Sequence, residues 1–576
     1  MKKTRPVLSV CLALIGMIAV LFGYLPNNTA YAADAVQGEV QTLEIVSGGK
    51  SSYVIITPKG ASADADTASR ELRDAIRKKT GASLTRKNDG TALTSKPSET
   101  EILLGNTNRA ESASVLKDVP YGEYAVRVVN RKIVIAAWDD EALVKGCQAF
   151  ADYITETGKS GKLSVNSDYE SSGVAWKGIG VIPHYKGEAI TFQYVDLADK
   201  SYMLYVAKTT HEEFDSYVET VKGDGFEEIS RRQAGKMLYA ICSNGETILH
   251  MSFNSVTKEA RIAADKAYDM TLFTETEYKK VCEPSVTMVG QEFTTTDPTA
   301  VPLQNALCLV FQLEDGRFII VDGGYSTASI NMLYKTLRKL HVGKGKITIA
   351  AWIFTHAHAD HVRAFVELSN TTLKKRLVVE NFVHHFSTDT QYGRINDYAQ
   401  SGNARSAMRG YKDANIIKAH SGQVIKAGGV EIEMLFTYGD MEPSPLEQHN
   451  TTSLEFRVTA QDNSVMVLGD ASNQSLQYMY RVYGDYLKSD MVQIAHHGYN
   501  GIAEIYRKID ADVVLWPGGV SQFYGRDDLI PMKDKDYNKA ALNSAEECYV
   551  AGDSVFTLIL PYTPKDNKTV KIYDGE

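Results

Sequence analysis

Between Phe354 and Phe365, in the run Phe-Thr-His-Ala-His-Ala-Asp-His-Val-Arg-Ala-Phe, three histidines and an aspartate fall within six positions of a chain that has only 13 histidines in 576 residues. Imidazole and carboxylate are the usual protein ligands of a borderline divalent cation such as zinc. His356 and His358 alternate with alanines small enough to let an ion approach, while Asp360 and His361 can turn toward a second ion. Two ions with open positions need about seven or eight ligands, so more must come from downstream. His449 stands just ahead of a strand-like run, Asp470 ends the apolar run Asn-Ser-Val-Met-Val-Leu-Gly-Asp, and His496 and His497 end Asp-Met-Val-Gln-Ile-Ala-His-His-Gly. Each follows one design: an apolar strand, then a polar ligand at its carboxyl end.

The same design precedes the histidine run. A buried strand over 318–321 is expected to end in Asp322-Gly323-Gly324. A helix with Ile330, Leu333, Leu337 and Leu340 on one face follows, and a second buried strand over 347–354 leads straight into Thr355-His356. Ligands in a loop at the carboxyl end of a strand have a rigid base and an open side.

This constellation resembles the metallo-β-lactamase fold hydrolases: the HxHxDH run, the preceding Asp-Gly-Gly, a histidine about twenty residues before a Gly-Asp, and a later His-His-Gly. Within them, Thr-Ser-Leu-Glu-Phe-Arg-Val, Val-Leu-Gly-Asp-Ala and Ala-His-His-Gly-Tyr-Asn-Gly are most similar to the branch holding the hydrolase-like domain of bacterial DNA-uptake channels and the teichoic-acid phosphorylcholine esterases. The resemblance implies one metal held by His356, His358, His449 and Asp470, and a second held by Asp360, His361, Asp470 and one of His496 or His497. Two β-rich halves, from Val286 to about Phe382 and from Val424 to about Pro517, each end strands in ligands, which suggests an αββα sandwich with the site along one edge of the paired sheets. Zinc is the default ion, with manganese or iron the alternatives because no cysteine ligand is present. Asp360 would orient the attacking water, the histidine of the 496/497 pair that is not a ligand would protonate or cradle the leaving group, and Asp322 would pin the metal loop from behind.

Other polar residues are weighed against plain packing. His384 and His385 are adjacent on an apparent strand, so at most one should face the cleft. His341 and His420 read as solvated, and His184, His211 and His250 as ordinary surface or core residues without partners at ligand spacing. Tyr325, Tyr499, Asn500 and Trp516 lie near strand ends and either line the pocket or pack beneath it.

The chemistry is placed in the last of three units, in a fold class of α/β multidomain type. Residues 1–32 read as a signal peptide, with Lys2, Lys3 and Arg5 before an apolar run and a small-residue cleavage pattern at 30–32. Residues 38–170 read as an α/β unit that resembles the non-catalytic domain preceding the barrel of family 20 hexosaminidases. Residues 173–284 read as an α+β module of unknown role, and 285–576 as the hydrolase-like domain, with ten of the 13 histidines. Removing the leader takes the net charge from −9 to −12, which weighs against a nucleic-acid partner. Five single, scattered cysteines remain, no disulfide framework. The expected protein is a secreted or wall-associated dinuclear hydrolase, acting as a phosphodiesterase or esterase on a small-molecule or polysaccharide-linked substrate. The alternative is a glycan-binding scaffold with an idle third domain.

Overall fold

The computed structural model describes residues 40–90, 97–176, 181–186, 189–196 as backbone, 199–290, 306–387, 400–442, 444–525, 530–552, 554–565 and 568–572. The expected signal peptide lies outside these residues. Among the described residues, no helix is long and apolar enough to cross a membrane.

In the first unit, helix Ala63–Thr80 is capped by the Ser62 side chain and ends at Gly81 in the left-handed conformation, φ 81°. Such a residue closes a helix at no steric cost when it lacks a Cβ. Its apolar stripe, with Ala68, Leu72 and Ile76, packs beside helix Asp140–Thr157 on a six-stranded mixed sheet. That sheet continues past residue 170, because strand Glu170–Val174 pairs with strand Glu123–Val129. The second unit is a six-stranded antiparallel sheet covered by helix His211–Gly223, whose Thr210 and Glu213 form a reciprocal cap.

The third unit has four layers. Two eight-stranded sheets face each other across a core built from Leu309, Val321, Ile353, Phe456, Val467 and Leu515, among others. Helices Thr327–Leu340, Ala359–Leu368 and Ser401–Arg409 cover the outer face of one sheet, and Asn473–Tyr483 and Ala503–Ile509 that of the other. This is the αββα arrangement expected. One strand departs from the expected two-halves layout: Val555–Ile559, near the C-terminus, returns to the first sheet and pairs antiparallel with Ser285–Val289.

Direction of pairing positions the site. Strands Phe318–Asp322, Ile347–Phe354, Asn381–His384 and Asn415–Lys418 run parallel, so their carboxyl ends share one edge. Strands Asn463–Val467, Met491–Gln493 and Val513–Trp516 are likewise parallel in the second sheet. Parallel strands gather the polar loops that follow them at a single edge, where open α/β sheets bind ligands.

Candidate metal centre

Six of the eight expected site residues fall into two clusters, and the other two, His449 and His496, lie directly beside them. Asp360, His361, Asp470 and His497 each present a ligand atom within 4.8 Å of the others, and so do His356, His358 and Asp470. Asp470 belongs to both. His361 Nε2 is 3.2 Å and His356 Nε2 3.9 Å from Asp470 Oδ2, and His497 Nε2 lies 3.5 Å from Asp470 Oδ1 and 3.4 Å from Asp360 Oδ2. His496 Nε2 is 3.7 Å from Asp470 Oδ2, at the rim. His449 lies outside these tight sets; its ring stacks on that of His358 with centroids 4.7 Å apart.

The donor set fits divalent cations. His356 Nε2, His361 Nε2, both ring nitrogens of His449, Asp470 Oδ1 and His497 Nε2 are buried and have no hydrogen-bond partner among the described residues. A native interior rarely strands that many polar atoms at one spot, and bound ions would account for one nitrogen of each imidazole and for Asp470 Oδ1. The opposite ring nitrogens are already engaged. His361 Nδ1 is 2.7 Å from Asp322 Oδ2, and His497 Nδ1 donates to the Pro517 carbonyl at 2.6 Å. Such contacts fix the tautomer and aim the Nε2 lone pair at a metal.

Charge follows the same plan. Burial pushes His356 well below the ordinary histidine range, helped by the neighbouring His361 and His358, and pushes His449 down to about 3. Both are therefore neutral, lone-pair-bearing ligands at pH 7. Burial works against charge on His361 too, but the carboxylates of Asp470, Asp322 and Asp360 outweigh it and raise its value. Burial likewise opposes ionisation of Asp470, yet His361, His497 and His496 hold it well below the usual carboxylate range.

The surrounding backbone is built for this. Asp322 is fully buried with φ 55°, a left-handed conformation uncommon outside glycine. It accepts from the Thr355 amide at 2.8 Å and the Thr355 hydroxyl at 2.7 Å, tying two parallel strand ends together behind the histidines. Gly469 has φ 54°, and a Cβ there would sit 2.9 Å from the Thr355 side chain. His496 and His497 are both left-handed, φ 47° and 52°, and are followed by Gly498 at φ 90°. A Cβ on Gly498 would lie 2.3 Å from the Trp516 ring. Two successive histidines in that region carry backbone strain of the kind that clusters at functional sites.

The two histidines of that pair have different surroundings. His497 faces the cluster and is buried, whereas the His496 side chain is 27% exposed. Asn500 Nδ2 donates to His496 Nδ1 at 2.9 Å, and Asn450 Nδ2 lies 3.2 Å from the same ring. Asn450 Nδ2 is equally 3.2 Å from His496 Nε2, so the two asparagines hold the ring from both of its nitrogens.

Sequence reasoning missed Gln493. Its Oε1 accepts from the amides of Leu468 and Gly469 at 2.9 and 2.8 Å, and its Nε2 donates to the Gly469 carbonyl at 3.0 Å. It holds the Asp470 loop from the neighbouring strand. A glutamine inside the otherwise apolar run Met-Val-Gln-Ile-Ala was the available signal.

The remaining expectations divide. Trp516 is fully buried beneath Gly498, while Tyr499 is 36% exposed beside His496, with ring centroids 5.6 Å apart. Tyr325 Oη accepts from Arg363 at 2.8 Å. Neither His384 nor His385 is in the clusters: His384 Nδ1 accepts from the Phe386 amide at 3.2 Å, and the His385 ring packs against those of Tyr438 and His420. The solvated reading of His420 is overturned; it is buried and pairs with Asp265 at 2.7 Å, because the second unit packs over its turn. His341 is also partly buried, at the end of its helix, and His250 has Asp265 and His420 as neighbours. His184 bonds the Tyr121 carbonyl and stacks on Trp176, and His211 pairs with Asp215 on the surface.

Residues 301–518 match the family model of the Metallo-beta-lactamase superfamily. No curated protein matches the chain. Among solved structures, the metallo-beta-lactamase fold protein YhfI from Bacillus subtilis is 16% identical, with a TM-score of 0.29, over 48% of this chain and 99% of its own. Unliganded yeast PDE1 is 12% identical, TM-score 0.31, over 49% of this chain and 100% of its own. A diphosphatase from the PhnP family is 13% identical, TM-score 0.25, over 40% of this chain and 85% of its own.

Proposed function

We propose that the metallo-β-lactamase superfamily domain at residues 301–518 is the catalytic part of a secreted or wall-associated dinuclear hydrolase that cleaves a phosphodiester or ester in a glycan-linked extracellular substrate. The observation that carries this reading is the pair of ligand clusters sharing Asp470, with buried ring nitrogens turned into them and no other partner. In this assignment His356, His358 and Asp470 hold one ion, with His449 closing that side, and Asp360, His361, Asp470 and His497 hold the other. Two divalent ions, zinc first and manganese or iron as alternatives, supply Lewis acidity and a water acidified toward neutral pH when bound.

The chain's own groups do the rest. Asp360 lies at the rim of the cluster, where its carboxylate can accept a proton from the incoming water and orient it. His496, held by Asn500 and Asn450, stands at the rim as a neutral imidazole that can hydrogen-bond a leaving oxygen as charge develops on it.

Support for the substrate class comes from several directions: the leader-like N-terminus, the acidic charge, the likeness of the hydrolase motifs to teichoic-acid phosphorylcholine esterases, and that of the first unit to the companion domain of family 20 hexosaminidases. The test is metal content by mass spectrometry on protein purified without chelator, paired with hydrolysis of bis(p-nitrophenyl) phosphate by the wild type and by Asp470→Asn. Two ions in the centre and turnover lost in the folded variant support the hydrolase. A centre without metal and no turnover after zinc or manganese is restored would leave the glycan-binding scaffold.

A further inference from the structure

A second group of metal-ligand side chains lies away from the centre just described, at the seam between the antiparallel sheet of the second unit and the hydrolase domain. His250 on strand Thr247–Asn254, Asp265 on strand Glu259–Lys266 and His420 in the loop after strand Asn415–Lys418 each offer a ligand atom within 4.8 Å of the others. The first two come from one unit and the third from the other, 155 positions away from Asp265.

His420 Nε2 is 2.7 Å and His250 Nε2 3.6 Å from Asp265 Oδ2, and the two imidazoles stack with centroids 4.3 Å apart. All three residues are more than nine-tenths buried. Among the described residues, Asp265 Oδ1 and His250 Nδ1 have no hydrogen-bond partner, and beside Asp265 the His250 Nε2 has a long 3.4 Å contact with the Tyr268 hydroxyl. A buried carboxylate with one oxygen unmet, facing two imidazoles, is an unusual expense in a protein interior unless an ion completes it.

From this geometry we infer that His250, Asp265 and His420 form a third divalent-cation site, of zinc type, that pins the second unit to the hydrolase domain. Two imidazoles and one carboxylate are a borderline donor set, which selects zinc over magnesium or calcium. Both histidines also line a cavity of about 40 Å³. That is room for roughly two or three waters, enough to supply a fourth ligand to a tetrahedral ion. Of the cations nearby, the Arg261 guanidinium donates to the Glu442 carbonyl at 2.9 Å, and Lys418 Nζ donates to Ser201 Oγ at 2.7 Å while its charge also favours the Asp265 carboxylate. Burial drives His250 down to about 3, so its imidazole is neutral and ready to bind.

The test is zinc stoichiometry of the whole chain by equilibrium dialysis and mass spectrometry, with thermal unfolding as a second readout. Wild type should hold three zinc ions, and His250→Ala and Asp265→Asn two each, with hydrolysis of the model phosphodiester retained. Asp265→Asn keeps the shape and a hydrogen-bond acceptor for His420, so it stays informative if His250→Ala fails to fold. In an Asp470→Asn background, zinc should still raise Tm, and adding Asp265→Asn should make that rise smaller. Two zinc ions in wild type, or an unchanged count and an unchanged zinc-induced Tm rise in the Asp265→Asn chains, would overturn the inference. Loss of one ion with Asp265→Asn in a chain that hydrolyses nothing would uphold it while defeating the hydrolase proposal.

Discussion

Asp322 Oδ2 lies 2.7 Å from His361 Nδ1, in a fully buried pair whose other carboxylate oxygen is taken by the Thr355 amide. The aspartate thus fixes both the loop that carries the histidine run and the orientation of one of its rings. Asp322→Asn keeps the size and tolerates the positive φ, but removes the charge that raises the basicity of His361. Metal affinity should fall about 10–100-fold. A competition titration against a chromophoric chelator measures this, and equal affinity in the two proteins would remove Asp322 from the site.

His497 and His496 should separate metal binding from turnover. His497 Nε2 points at Asp360 and Asp470, whereas the His496 ring is held by two asparagines at the rim. His497→Ala should lose one ion of the centre. His496→Gln should keep both and lose about 10²–10³-fold in turnover, the usual weight of one positioned hydrogen-bond donor to a developing oxyanion. Metal counts and kcat on the same preparations decide it, and a metal deficit in His496→Gln would reverse the assignment.

Much of this centre was legible because its ligands come in short runs at the ends of apolar strands. A strand of buried residues ending in Gly-Asp or His-His-Gly announces both its own direction and the polar loop beyond it. The choice between His496 and His497 was not legible, since it depends on two left-handed backbone conformations that no periodicity encodes. Nor was the seam of His250, Asp265 and His420, whose members meet only through packing of one unit on another. The pairing of Val555–Ile559 with Ser285–Val289 is of the same kind: alternation identifies a strand but not a partner about 270 residues away.

Glu455 predicts a pH dependence of stability. It is fully buried at the start of strand Glu455–Ala460, and burial above all pushes its carboxyl up to about 8. The unfolded value is about 4.3. A folded value raised above the unfolded one gives stability that is complete below the unfolded value and is lost as pH rises through the folded one. Between about pH 5 and 8 this group alone should therefore lower stability by about 1.4 kcal/mol per pH unit. Glu455→Gln should flatten that slope and leave the protein more stable than wild type at pH 8.5. Urea unfolding at pH 6 and 8.5 reads both; parallel pH dependence in the two proteins would show that Glu455 is ionised in the fold.

Arg405 and Asp199 join the second unit to the edge of the centre. Arg405 Nε and Nη2 each lie 2.8 Å from a carboxylate oxygen of Asp199, and Nη2 also donates to the Phe386 carbonyl at 2.8 Å. Both side chains are close to nine-tenths buried, and burial, which opposes the charge on Asp199, is outweighed by the arginine, so that its carboxyl is held well below the usual range. The helix Ser401–Arg409 that carries Arg405 begins beside Gln400, whose amide donates to the Ala357 carbonyl of the histidine run at 2.6 Å. Truncating one partner of a buried pair leaves the other charge uncompensated, at a cost of about 3–5 kcal/mol. Arg405→Ala should therefore lower stability by about that much, and Arg405→Lys should restore only part of it, because a lysine cannot make the two-pronged contact. The double change Asp199→Asn with Arg405→Met should be less harmful than Arg405→Ala, since it leaves no buried charge behind. Denaturant unfolding of the three variants orders them, and a double variant less stable than Arg405→Ala would mean that the pair stabilises the seam through the guanidinium's backbone contacts instead of its charge.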